Sequence, residues 1–283
     1  MNHETIPMRQ IEARPLGAAV GAEINGIDLS RPMSDAARET IRHALAAHGV
    51  VFFHGQSLTP EQHIALARRF GTINVNRFFS HAEGYPEIAL VVKEPHQTKN
   101  IGGGWHTDHS YDHVPAMGSL LYARETPPTG GDTLFAGMYA AYDALSDGLK
   151  ATLAGLRAVH SSRHVFGVKR EGMEDRFHNQ DLAIQDAVHP VVITHPDSGR
   201  KALYVNPGFT LRFEGWTDDE SRALLDYLYQ HAVRPEFVHR FAWRPGSLAF
   251  WDNRSTWHYA VNDYHGARRL MHRITLEGVP LAA

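Results

Sequence analysis

The 283-residue chain contains no cysteine. That absence excludes disulfides, thiolate nucleophiles, sulfur-ligated zinc and iron–sulfur clusters together, so any metal it holds has nitrogen and oxygen ligands. No apolar run approaches the roughly 18 residues that a membrane-spanning helix needs, and the N-terminal MNHETIPMRQ lacks the apolar stretch of a signal peptide. A cytoplasmic protein is expected. Excess positive charge is missing too: 28 Lys and Arg stand against 31 Asp and Glu, for a formal charge of −3, which leaves no electrostatic footprint for nucleic acid. Internal repeats, low-complexity tracts and long Pro/Gly/Ser linkers are absent, so residues 1–283 read as one domain with a sizeable core. The oligomeric state is left open, with room for a homo-oligomer.

What is present reads as mixed at first and then as mostly β. Residues 34–48 predict a helix with Ile41, Ala44, Leu45 and His48 on one face, and 50–54 a short strand. Thr59-Pro60-Glu61-Gln62 is a strong helix start, with Thr59 at the N-cap, Gln62 as its capping-box partner and Gly71 closing the C-terminus. Short strand-like runs follow at 88–93, 119–123, 187–194, 201–205, 237–243, 247–251 and 269–276. Turn signals such as Pro127-Pro128-Thr129-Gly130-Gly131 and Pro245-Gly246 separate several of them. Helices at 138–156 and 217–231, the latter opened by a Thr217/Glu220 capping box, would cover a sheet face. The pattern predicts a mostly β protein with flanking helices, a sandwich or jelly roll. The polar stretch 167–186, carrying Lys169, Arg170, Glu171, Glu174, Asp175 and Arg176, is the expected mobile loop.

The chemistry concentrates in three places. In GGGWHTDH, residues 102–109, an extended backbone puts His106 and Asp108 on one face with Thr107 turned away, which is metal-ligand spacing. With 20 histidines in the chain, a third ligand has to decide, and His258, embedded in FWDNRSTWHYAV, is the candidate. Two imidazoles and one carboxylate leave coordination positions open, as in non-heme Fe(II) oxygenases. A zinc hydrolase using the same set to activate water is the alternative, and a non-catalytic jelly-roll module is a further one. In RRLMHRITL, residues 268–276, strand alternation places Arg269, Met271, Arg273 and Thr275 on one face. Two guanidiniums pointing the same way inside a barrel each need an anion, and a carboxylate suits their forked geometry.

Together, WHTD at 105–108, GGDT at 130–133, WDNR at 251–254, His258 and RRLMHR at 268–273 resemble the Fe(II)/2-oxoglutarate-dependent taurine dioxygenase family, often called TauD/TfdA. GAEINGIDLS, FFHGQSLTPEQHIALARRFG and HAEG extend the resemblance over nearly the whole chain. It implies a double-stranded β-helix, a cupin-like jelly roll, and an oxidoreductase using Fe(II), 2-oxoglutarate and O₂ to hydroxylate a C–H bond, with succinate and CO₂ as co-products. It implies further that His106, Asp108 and His258 bind iron, that Arg269 and Thr133 receive the distal carboxylate of 2-oxoglutarate, and that Arg273 faces the acidic head of a small anionic substrate. Where taurine-specific members place a histidine, a tyrosine and an asparagine, this chain has Asn76, Phe79 and Gly102. The expectation is a wider, more apolar pocket with Phe78, Phe79, Phe166 and Phe209 as walls, suited to a larger sulfonate, a sulfate ester or an aryloxy or alkyl carboxylate.

Overall fold

The computed structural model describes residues 11–168, 173 and 176–283. Its largest sheet has nine strands. Eight run in the order Glu12–Pro15, Ala22–Asn25, Val50–Phe53, Leu248–Asp252, Gly118–Glu125, Arg269–Leu276, Tyr85–Lys93 and His81–Ala82, while Ile73–Asn74 pairs with the C-terminal end of Arg269–Leu276. A second sheet is built from Val238–Phe241, Thr133–Gly137 and Thr256–Ala260. Phe52, Leu121, Trp251 and Met271 of the first sheet meet Phe135 and Phe241 of the second in one buried cluster. The two sheets therefore close on each other as the expected jelly roll, with helices on the outside. Asp186–Pro190, Arg157–Ser161 and Thr210–Phe213 form a smaller sheet, and Val192–Thr194 pairs with Lys201–Leu203.

Local chemistry explains where the elements start and stop. The helix Asp35–His48 begins where Ser34 Oγ accepts the Ala37 N–H at 3.2 Å and ends at Gly49, whose φ of 73° a side chain would resist. Its Ile41, Ala44 and Leu45 are buried against the main sheet. The helix Pro60–Arg68 has the expected capping box between Thr59 and Gln62, but Arg69 is its C-cap, so Gly71 does not close it. The helix expected at 138–156 divides into Met138–Asp143 and Asp147–Leu153, because Ser146 turns out to cap the second, accepting the Leu149 N–H at 3.3 Å. The strand expected at 187–194 divides between two sheets: Pro190 has no N–H for a ladder, and the Val191 N–H is drawn to the Leu156 carbonyl at 2.9 Å. Of 237–243, only Val238–Phe241 is strand. The helix Asp218–Ala232 starts at Thr217 with the predicted capping box.

Lys169, Arg170, Glu171, Glu174 and Asp175 of the expected mobile loop lie outside the described residues. Arg176 is buried and donates to the carbonyls of Lys99 and Val92. No helix among the described residues is long and apolar enough to cross a membrane.

One buried histidine makes stability depend on pH. His63, on Pro60–Arg68, is 1% exposed, and neither ring nitrogen has a partner among the described residues. Burial first, then His272 and Arg124, pushes its pKa down to about 3. An unfolded chain protonates the same imidazole near pH 6.5, so the folded state binds fewer protons between those values. Stability present at neutral pH is therefore lost as the pH falls through that window, by up to about 1.4 kcal/mol per pH unit. His63→Leu is expected to flatten this slope in urea unfolding measured at several pH values across the window. An unchanged slope would contradict the assignment.

Candidate active site

The two halves of the His/Asp/His set are joined by an isolated bridge between His106 and His258. The His106 N–H donates to the His258 carbonyl at 3.1 Å, and the His258 N–H returns to the His106 carbonyl at 2.8 Å. This exchange seats His106 beside the strand Thr256–Ala260 and brings the ring centroids to 4.1 Å. His106 Nδ1 lies 2.7 Å from the Gly104 carbonyl, which makes Nδ1 the protonated nitrogen and leaves the Nε2 lone pair facing inward. Thr107 does turn away, its hydroxyl donating to the Asn253 carbonyl at 2.5 Å. Asp108 starts a turn rather than continuing a strand, and its Oδ2 accepts from Ser119 Oγ at 3.1 Å.

The three side chains converge. His106 Nε2 is 3.8 Å from Asp108 Oδ1 and His258 Nε2 is 4.0 Å from Asp108 Oδ2. Two ligands each about 2.1 Å from a shared ion lie at most ~4.2 Å apart, so the spacing fits a divalent cation. The protonation states fit as well. Burial would raise the Asp108 carboxyl, but Arg273, His258 and His106 together hold it well below the usual carboxylate range. Burial lowers the pKa of His106, and that of His258 further, with His106 adding to the effect on His258. One carboxylate and two neutral imidazoles are the forms that ligate metal.

Both arginines lie inside, on the same face of Arg269–Leu276, with Met271 between them. Arg269 is 4% exposed, and its Nε and Nη2 find no partner among the described residues. Burial pulls its pKa below the ordinary range against the opposing influence of Tyr264 and Asp132. Thr133, buried on the facing sheet, accepts from Trp243 Nε1 at 2.9 Å, and the Trp243 ring lies 5.7 Å from the Arg269 guanidinium carbon. Donors stripped of water and left unanswered fit a carboxylate ligand. Arg273 sits deeper in the chemistry: Nη1 is 3.3 Å from Asp108 Oδ1, and the guanidinium carbon lies 4.5 Å from the centre of the Phe79 ring.

A cleft of about 730 Å³ opens beside His106, Asp108 and Arg273, walled by Phe79, Tyr111, Phe166, Phe177, Phe209 and Tyr259. Phe78 does not line it; it is fully buried behind the wall, stacked on Phe166 at 4.3 Å. Asn76 does line it, but its Oδ1 is turned to the Phe78 and Phe79 N–H groups. Gly102 has φ 78°, and a β-carbon there would stand 3.3 Å from His106 Cε1. Its lack of a side chain thus leaves room for the His106 ring beside the cleft. Local spacing gave no role to His109, Tyr111, Phe177 or Gly208, although His109 stands next to Asp108 in the same motif. A second cluster, His195, Asp197 and Asp252, has ligand-like spacing, but Arg254 fills it, with Nε 2.9 Å from Asp252 Oδ1 and Nη2 2.6 Å from both Asp252 Oδ2 and Asp197 Oδ2. Asp252 and Arg254 of the WDNR motif are thereby accounted for by an internal ion-pair network.

A jelly roll whose interior gathers two imidazoles, a carboxylate and two buried guanidiniums has the makings of a non-heme metal oxygenase. The model for the taurine catabolism dioxygenase TauD, TfdA family matches residues 12–275. An alkylsulfatase of Acinetobacter baylyi is 35% identical over 279 residues, spanning 96% of this chain and 86% of that protein. An alpha-ketoglutarate-dependent 2,4-dichlorophenoxyacetate dioxygenase of Cupriavidus pinatubonensis is 35% identical over 285 residues, spanning 94% and 97%. The crystal structure of a taurine dioxygenase from Burkholderia xenovorans matches with a TM-score of 0.82 at 37% identity, covering 96% of this chain and 91% of that one. The chain belongs to the TauD, TfdA family and is an Fe(II)/2-oxoglutarate-dependent dioxygenase.

Gly208 offers a test of how tightly the first ligand is seated. A β-carbon there would stand 2.7 Å from His106 Cβ, so Gly208→Ala must shift the backbone at His106 or at Gly208. Outer contacts that orient a ligand are typically worth about 10–100-fold in metal affinity. Mn(II) titration by calorimetry is expected to show a loss of that order in a protein that remains folded, and an unchanged affinity would show that His106 tolerates the shift.

Proposed function

We propose that this enzyme couples the oxidative decarboxylation of 2-oxoglutarate, giving succinate and CO₂, to hydroxylation of a C–H bond in a small anionic organic substrate. One oxygen atom of O₂ enters succinate and the other enters the product. His106, Asp108 and His258 would hold Fe(II), whose chemistry when bound is the activation of O₂. Arg269, assisted by Thr133, takes the distal carboxylate of 2-oxoglutarate. Arg273 takes the anionic head of the substrate, and the aromatic walls take its body. Hydroxylation beside a heteroatom would collapse to an aldehyde or keto product and released sulfite, sulfate or phenol.

The observation that carries this reading is Arg269, a buried guanidinium with two donors unanswered among the described residues. A zinc hydrolase built on the same His/Asp/His set has no use for a carboxylate clamp. Substrate class is supported by the cleft. Among its described lining residues Asp108 is the sole carboxylate and is already paired with Arg273, so the ammonium of taurine has no counter-ion there. Its aromatic surface favours a longer chain or a ring, at roughly 25 cal/mol per Å² buried.

The test is succinate formation by Fe(II)-loaded protein given 2-oxoglutarate, O₂ and a panel of alkylsulfonates, alkyl sulfates, aryloxyalkanoates and taurine. A longer alkyl sulfate, alkylsulfonate or aryloxy acid is expected to exceed taurine in kcat/KM, and preference for taurine would refute the pocket argument. His106→Ala, Asp108→Ala and His258→Ala are each expected to abolish substrate-coupled succinate. Turnover with zinc in the absence of O₂ would establish the hydrolase instead. Arg273→Ala is expected to raise KM for the anionic substrate, with a loss of about 2 to 5 kcal/mol in kcat/KM. A neutral isostere used equally well by the unaltered enzyme would remove that role from Arg273.

A further inference from the structure

The turn after Asp108 carries a constraint that neither metal nor cosubstrate requires. His109 adopts a left-handed backbone, φ 59°, with its ring buried to 2% exposure. A β-carbon resists that conformation and glycine takes it freely, so the imidazole is retained against a local cost. Both its nitrogens are held: Nδ1 lies 2.8 Å from Asp112 Oδ2, and Nε2 lies 3.3 Å from Asn76 Nδ2. Asn76 Oδ1 already accepts the N–H groups of Phe78 at 2.9 Å and Phe79 at 3.2 Å, so the amide nitrogen is the end that meets His109. An amide nitrogen only donates. Nε2 therefore accepts, and the ring proton sits on Nδ1, donated to Asp112. Arg77 fixes Asp112 in turn, with Nη2 at 2.8 Å from Oδ1.

These contacts close a ring around the substrate side of the site. Phe79, whose N–H is held by Asn76, lies beneath the Arg273 guanidinium. Arg273 reaches Asp108, and Asp108 is followed in the chain by His109. Two side-chain hydrogen bonds, Asn76 to His109 and Arg77 to Asp112, tie segment 76–79 to the turn that begins at Asp108, and the first of them reaches the residue next to Asp108.

We propose that His109 is a positioning residue for the substrate. Its neutral imidazole staples the 76–79 wall to the Asp108 turn, and so sets where the Phe79 ring and the Arg273 head-group site stand relative to the metal ligands. The staple acts on the body of the substrate rather than on the metal, and it selects the chain length whose C–H bond is correctly presented. This rests on the reading of Arg273 as the anion site.

His109→Asn keeps a residue type tolerant of the left-handed region and His109→Gly relieves it fully, while both remove the imidazole. Asn76→Ser keeps a side-chain oxygen for the wall's backbone and removes the amide donor. The probes are ethyl, butyl, hexyl and octyl sulfate, titrated by calorimetry into anaerobic protein loaded with Mn(II) and 2-oxoglutarate. Loss of one buried hydrogen bond predicts about a tenfold drop in affinity for the preferred chain length in each single variant. Discrimination among chain lengths should shrink in parallel, and Asn76→Ser with His109→Asn together should be no worse than the worse single change. Additive losses, metal affinity falling in step with that of the probe, or unchanged discrimination would each overturn the proposal. A second readout needs no substrate: imidazole ¹⁵N shifts in the Zn(II)-loaded protein are expected to place the His109 proton on Nδ1, and Asn76→Ser to shift that tautomer balance. A proton on Nε2 in the unaltered protein overturns the staple whatever the substrate proves to be. Failure of every probe to bind, with the Nδ1 tautomer intact, would instead count against the function proposed above.

Discussion

Arg269 and Arg273 are buried on one face of one strand, and a guanidinium does not shed its charge. Among the described residues lining the cleft Asp108 is the sole carboxylate, and Arg273 leans on it at 3.3 Å. Arg269 is left with Nε and Nη2 unanswered among the described residues. That imbalance, too many cations for the anions at hand, organises the rest. It holds Asp108 ionised, the form in which a carboxylate can ligate metal, and it leaves room for the second anion that the proposed function supplies. Arg254 shows what a self-sufficient buried arginine looks like in the same protein, since Asp252 and Asp197 answer it at 2.6–2.9 Å. The contrast separates a guanidinium answered within the fold from one left unanswered among the described residues.

The backbone around His106, Asp108 and His258 is set by close approach. The paired hydrogen bonds between His106 and His258 bring together residues far apart in the chain, and they leave so little room that Gly102 and Gly208 crowd the His106 side chain from two directions. Rigid seating of this kind suits a site whose ligands need to be in place before the cation arrives. The 76–79 segment, the proposed substrate wall, is hydrogen-bonded to the same frame through Asn76 and His109.

Much of this was legible in the sequence where the signal is local. The capping boxes at Thr59 and Thr217 follow from residue type and spacing and the alternation over Arg269–Leu276 from strand periodicity, and the structure repeats them. The His106/Asp108 spacing was legible for the same reason. Thr133–Gly137 and Thr256–Ala260 were not read as strands, because a leading run of glycines masks one and a turn through Asn253 and Arg254 abuts the other. Yet their pairing is what carries His258. Ser146 ended a helix that its apolar spacing would have continued, since a hydroxyl cap competes with the helix at that point. Phe78 was placed in the pocket and Phe79 beside it, but neighbours in a turn face different ways, and only Phe79 reaches the cleft. His109 was invisible for a deeper reason: its partners come from residues 76 and 112, and that meeting exists only after the fold is made.

Arg269 is a buried cation whose Nε and Nη2 meet no partner among the described residues, and the proposed function gives it the carboxylate of 2-oxoglutarate. Arg269→Met keeps a long unbranched stem and removes the charge. Urea unfolding of the two proteins, each loaded with Mn(II) under anaerobic conditions and measured with and without 2-oxoglutarate, tests that role most directly. Without 2-oxoglutarate the variant is expected to be as stable as the unaltered protein or more so, by on the order of 1–3 kcal/mol, because unanswered buried donors are gone. Addition of 2-oxoglutarate is expected to stabilise the unaltered protein and leave the variant nearly unmoved. A variant that is destabilised on its own and still stabilised by 2-oxoglutarate to the same extent would contradict the account.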